Sequence, residues 1–157
     1  MTKHLAIDPG LHYSGFCVMS SDLRILEAGC VHHKGPLSWD ARLPLVMEDV
    51  MAVYRRHLPD TFVFEVPEHW SGREGFAARE SGSVFKLTFL AGALYGVVKH
   101  QCLSEMVLLT PSKWKGQMPK DLVHKRLIRK VPEASEYTDH NVLDAIALAY
   151  VSFRGKL

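Results

Sequence analysis

Cysteine is scarce in this chain. Cys17, Cys30 and Cys102 are three in 157 residues, odd in number and far apart, with no Cys-X-X-Cys pair. That excludes a disulfide framework and a cysteine zinc site, and it suits a reducing compartment. Long hydrophobic runs are missing too. The longest mostly apolar stretch, Leu87 to Val98, is too short to span a bilayer, and Lys86 and Lys99 flank it. No basic segment followed by an apolar one opens the sequence, so no secretory leader is expected and the cytoplasm is the expected location. At 47% hydrophobic and 23% charged, the composition is that of one ordinary globular domain, 1–157. Internal repeats and low-complexity tracts are absent.

Net charge is only +2, but it is unevenly placed. Between Lys113 and Lys130 stand seven cations (Lys113, Lys115, Lys120, Lys125, Arg126, Arg129, Lys130) against one acid, Asp121. The rest of the chain is therefore net acidic, and positive charge is concentrated in one segment.

Leu5 to Asp8, Gly15 to Met19 and Ile25 to Val31 read as three strands with short polar connections, an antiparallel meander. A helix capped by Ser38 follows, with Leu43, Val46, Met47, Val50 and Tyr54 at helical spacing. Thr61 to Val66 reads as a central strand. Residues 67–80 read as a loop rich in charges and aromatics, including Trp70, Arg73, Phe76 and Arg79. A long helix from Ser83 to His100, a strand from Met106 to Leu109, a basic helix from Pro119 to Lys130 and an apolar helix from His140 to Phe153 complete the chain. This order predicts an α/β (α+β) three-layer fold, a central five-stranded mixed sheet flanked by helices.

Three carboxylates stand in apolar surroundings. Asp8 ends the strand Leu5-Ala6-Ile7, Glu65 lies within Phe62-Val63-Phe64-Glu65-Val66, and Asp144 shares a helix face with Leu148 and Val151. An unpaired carboxylate in such a place costs several kcal/mol, roughly, or takes up a proton. A basic partner, backbone donors or a metal ion would each offset that. No Arg or Lys is near any of the three in sequence, so a divalent cation is the economical expectation, and all-oxygen ligation favours Mg²⁺ or Mn²⁺ over zinc. Plainer roles stay open for each acid: an Asx turn at Asp8, an ion pair at Glu65, a backbone-bonded core acid at Asp144. His140 and Asn141 lie one turn before Asp144 and reach the same cluster, unless Thr138, Asp139 or Asn141 simply caps the helix. Glu68 is a weaker alternative carboxylate. Trp114, between Lys113 and Lys115, and the 67–80 loop both mix cations with aromatics, a pattern suited to phosphates and unpaired bases. A solvated basic helix with one buried tryptophan is the plainer reading of the first.

The collinear pieces resemble a known family. Ala6-Ile7-Asp8-Pro9-Gly10 with Ser14-Gly15-Phe16 resembles the opening of RuvC-type Holliday junction resolvases, and Phe62-Val63-Phe64-Glu65 their second acidic strand. Ser83 to His100, with Gly92, resembles their dimer-forming helix; Pro111 through Lys115 to Lys120 and Val123 their lysine-bearing stretch; Asp144-Ala145-Ile146-Ala147-Leu148-Ala149 their terminal signature. The resemblance implies an RNase H-like fold, a homodimer and Mg²⁺-dependent nicking of four-way DNA junctions, with no membrane partner and no organic cofactor, in a compact member of the bacteriophage kind. By position, Asp8, Glu65 and Asp144 would be metal ligands, and Lys115 and Lys120 would contact phosphates beside Lys113. Two departures stand out. The family usually has Asp or His where this chain has Asn141, so His140 is expected to complete the site with Asn141 in reserve and Asp139 adjacent. The junction-inserting aromatic is displaced, so Trp70 or Phe76 takes that role in this reading, with Arg73 beside them. Two rivals remain: an RNase H-like nuclease for other branched or hybrid substrates, and a non-catalytic branched-DNA-binding protein.

Overall fold

The first strand, β1 (Lys3–Asp8), turns Leu5 and Ile7 to one side of a sheet and Ala6 to the other, and all three are fully buried. β2 (Tyr13–Ser20) repeats the pattern with Phe16 and Val18 against Cys17 and Met19, and β4 (Thr61–Glu65) with Phe62 and Phe64 against Val63. Strands apolar on both faces belong inside a three-layer fold. The computed structural model describes residues 1–33, 35–68 and 82–157, and among them the sheet has five strands in the order β3-β2-β1-β4-β5. β3 is Ile25–His32 and β5 is Glu105–Leu109. The first three strands are antiparallel, while β1–β4 and β4–β5 are parallel.

One face carries the large side chains. Phe62 and Phe64 stack at 4.9 Å beneath α1 (Trp39–His57) and α2 (Ser83–Gln101). The stripe on α1 opens with a buried cation, Arg42, which was not expected there; its guanidinium donates to the carbonyls of His33 and Gly35. Leu43, Met47 and Tyr54 are partly buried beside it, and Ser38 sits at the N-cap without a side-chain capping bond.

The opposite face carries the smaller residues Ala6, Cys17 and Val63, with the longer Met19 further along β2, and α5 (His140–Arg154) packs against it. Every residue of α5 from Val142 to Val151 is buried. α4 (Lys120–Lys130) packs beside it through Val123 and Leu127. Two short elements went unforeseen: α3 (Pro111–Trp114), with proline in its first turn, and a 3₁₀ turn at Pro132–Glu136. The expected loop at 67–80 falls mostly at positions 69–81, outside the described residues.

Gly15 sets the depth of α5. A Cβ there would stand 1.9 Å from the Asn141 carbonyl oxygen, so β2 and the start of α5 meet backbone to backbone. Because Gly15 pairs with Asp8 across β1–β2, that contact also sets the height of Asp144 beside Asp8. Gly15→Ala is expected to destabilise the fold by about 3 kcal/mol, as overpacking against unyielding backbone does, measured as a lower thermal midpoint. An unchanged midpoint would show that α5 separates freely from β2.

Candidate active site

β1 and β4 run parallel and in register, with Ile7 opposite Phe64, so Asp8 and Glu65 leave the sheet side by side at its carboxyl edge. This is the edge where open α/β sheets place ligands. By strand alternation both acids share the face of Ala6 and Val63, the face covered by α5. Asp144, 3% exposed, looks back at them from that helix.

Each acid is supported differently. Glu65 Oε2 accepts the indole Nε1–H of Trp114 at 2.6 Å. Asp144 is held from two sides: Lys120 Nζ donates to Oδ2 at 2.8 Å and His124 Nε2 to Oδ1 at 2.9 Å. The Asp8 carboxyl has no hydrogen-bond donor among the described residues. Burial, then the neighbouring charges of Glu65 and Asp144, push its pKa up to about 8 against the pull of Lys120 and Lys115. Burial likewise raises the pKa of Glu65, while Lys115 and the Trp114 N–H oppose the rise. For Lys120, burial works to depress the ammonium, but the bond to Asp144 and the charges of Asp144, Asp8 and Glu65 outweigh it and hold the pKa above its ordinary value.

Asp144 therefore departs from the expectation that no Arg or Lys partners it. Its basic partner exists, on another helix, and no sequence window around Asp144 contains it. For Trp114 the plainer of the two readings holds: it is 2% exposed and bonded to Glu65, a buried support rather than a stacking surface for bases. Lys115 Nζ lies 4.8 Å from the centre of its ring, which brings that cation to the site's margin. Lys113 is exposed. Asp139 is committed as the N-cap of α5, its Oδ1 accepting from the backbone N–H groups of Asn141 and Val142. Glu68 is drawn away from the cluster by the Ser112 backbone N–H and hydroxyl. His140 is exposed and stacks on His124 with ring centres 5.5 Å apart. Trp70, Arg73 and Phe76 lie outside the described residues. His124 was missed altogether, although a histidine between Val123 and Leu127 on the apolar side of a basic helix is a readable signal.

Does this donor set suit a divalent cation? Among the described residues no three His, Cys, Asp or Glu side chains stand together at ligand spacing. Asp144 has both oxygens in hydrogen bonds and Glu65 has one. The chemistry nonetheless fits. The three carboxylates bring hard oxygen donors to one sheet edge, and the desolvated Asp8 carboxyl has no hydrogen-bond donor among the described residues. Lys120, half-exposed, stands where a cation neutralises Asp144.

The family model described as Crossover junction endodeoxyribonuclease RuvC matches residues 4–151. Among solved structures, the chain is similar to Thermus thermophilus RuvC in complex with Holliday junction substrate (TM-score 0.77, 18% identity, 99% of this chain and 95% of that one). It is similar also to Thermus thermophilus RuvC solved separately (0.73, 16%, 98% and 97%). A third likeness is to the Fowlpox virus resolvase in complex with substrate Holliday junction DNA (0.53, 15%, 98% of each chain). No curated protein sequence matches. Likeness at such identities shows the shared fold, whereas the family match runs from β1 nearly to the end of α5. On that breadth the chain belongs to the RuvC family of crossover junction endodeoxyribonucleases.

Proposed function

We propose that this chain resolves four-way DNA junctions by nicking two opposed strands, using divalent cations, Mg²⁺ or Mn²⁺, held by Asp8, Glu65 and Asp144. The observation that carries this is the gathering of three acids, the partly buried Asp8 and Glu65 and the buried Asp144, at one sheet edge, with Lys115 and Lys120 beside them. A bound divalent ion supplies an acidified water and charge neutralisation at the leaving oxygen. The chain's own residues do the rest. Lys120 and Lys115 carry positive charge that a phosphate can take over from the carboxylates. The N–H bonds from Trp114 and His124 aim two of the acids before substrate arrives. Water attacks phosphorus, the bond to the 3′ oxygen breaks, and a proton returns to that oxygen. His140, at the head of α5, is the fourth ligand in this reading, with Asn141 in reserve. Trp70 and Phe76 prop the crossover open, with Arg73 and Lys113 on neighbouring phosphates. Such a substrate belongs in the cytoplasm of a bacterial or phage-infected cell; among the described residues no helix is long and apolar enough to cross a membrane.

Two opposed strands call for two sites, and α2 offers the surface for a homodimer. Phe85 is 64% and Phe89 50% exposed, both edge-on to Trp39 of α1. A Cβ at Gly92 or Gly96 would meet nothing within 4 Å, so this glycine face looks outward rather than onto the sheet. A symmetric pair of α2 helices would cover it.

A labelled four-way junction, offered with Mg²⁺ or EDTA alongside duplex, fork and RNA–DNA hybrid, tests the reading. Paired, Mg²⁺-dependent nicks on the junction are expected, lost in Glu65→Gln and Asp144→Asn with binding retained. Cutting of the hybrid alone, or binding without cutting, would contradict it. His140→Ala should lower the rate far more than Asn141→Ala, and the reverse order would transfer the ligand role. Phe89→Asp should give a monomer by light scattering and single rather than paired nicks; a dimer that persists would move the interface elsewhere.

A further inference from the structure

α4 presents two apolar side chains to the core, Val123 and Leu127, and between them a polar one that is 7% exposed, His124. A buried imidazole is costly unless it is bonded, and this one's Nε2 bonds Asp144 Oδ1 at 2.9 Å. Its other flank is covered by the His140 ring, 23° from parallel. The two oxygens of Asp144 are therefore unlike. Oδ1 faces a short, packed ring on the inside of the domain. Oδ2 faces Lys120, a long side chain 54% exposed, which can exchange for another cation.

We propose that His124 is a positioning residue: it fixes the Asp144 carboxylate through Oδ1, so that Oδ2 is presented toward Asp8 and Glu65 as the oxygen that receives the cation. Hydrogen bonds behind a ligating carboxylate set its rotamer and its basicity, and their loss costs about 10–100-fold in metal affinity or rate. Trp114 stands in the same relation to Glu65, so the acid at the end of β4 and the acid on α5 are each held by a buried ring N–H. The proposal rests on the metal-dependent nuclease reading and adds to it the residue that orients one ligand.

The test uses His124→Leu, which keeps bulk but has no donor, and His124→Gln, which restores an N–H at similar reach. Mn²⁺ uptake by the DNA-free protein is followed by electron paramagnetic resonance of the free ion. Single-turnover nicking and junction affinity in EDTA are measured in parallel. Leu is expected to weaken Mn²⁺ binding and slow nicking by about 10–100-fold with junction affinity unchanged, and Gln to return both to within a few-fold of wild type. A folded Leu variant with wild-type Mn²⁺ affinity, or a Gln variant impaired as badly as Leu, overturns the proposal. Should Leu fail to fold, His124→Ala takes its place under the same criteria. Wild-type protein that takes up no Mn²⁺ would overturn the nuclease reading itself, a result distinct from either.

Discussion

Three acids brought out of water at one edge of a sheet are the constraint on which the rest of the site depends. Like charges in a poorly solvated place raise one another's proton affinity, and Asp8, without a donor of its own among the described residues, takes the largest share of that. Each nearby cation and ring N–H can be understood as a response. Lys120 neutralises Asp144 from the solvent side, His124 holds it from the core side, Trp114 braces Glu65, and Lys115 lies over Trp114. The arrangement leaves the Asp8 carboxyl without a hydrogen-bond donor among the described residues, a condition that a cation would relieve.

The fold delivers that arrangement by dividing labour between the two faces of the sheet. Stacked phenylalanines under α1 and α2 make the bulky core, while α5 packs against the other side and brings Asp144 to the strand ends. Parallel pairing of β1 and β4 fixes two acids with no loop between them and the scaffold, and the close passage of Gly15 under Asn141 fixes the third. Sites carried on packed elements hold their geometry better than sites carried on loops, as metal-assisted chemistry on a phosphodiester requires. The exposed aromatic face of α2 lies in the other helix layer, so the proposed pairing of two chains there would leave the acid edge uncovered.

Most of the architecture was legible because it rests on local periodicity. Period-two alternation in Leu5-Ala6-Ile7 and Phe62-Val63-Phe64, and helical spacing in α2 and α5, identify themselves. Asp8, Glu65 and Asp144 were readable as acids among apolar neighbours, and the collinear family pattern tied them together. What stayed hidden is what only tertiary structure creates. Lys120 reaches Asp144 across 24 residues of chain, so reasoning from sequence neighbours found no basic partner. Trp114 between two lysines looks like a base-stacking residue until its N–H is seen on Glu65. Asp139 and Glu68 carry the right chemistry but spend it on capping α5 and on Ser112. His124 could have been found: a polar side chain at an apolar helical position, one turn after a lysine, asks for a partner in the core.

The central claim, that the strained acid edge exists to be relieved by a cation, is tested most directly by thermal unfolding of wild type and Asp8→Asn with and without Mg²⁺ across pH. Because the folded-state pKa of Asp8 is raised, the folded chain holds a proton that the unfolded chain lacks between the ordinary value of 3.8 and about 8. Metal-free stability should therefore fall as pH rises through that window, with the ionised acid's full cost present above it. Asp8→Asn should remove that part of the decline and unfold at a higher temperature than wild type above pH 8. Saturating Mg²⁺ should restore wild type, by about 2.7 kcal/mol at a hundred times its dissociation constant, and leave Asp8→Asn nearly unmoved. Equal pH profiles and equal Mg²⁺ responses in the two proteins would contradict the account.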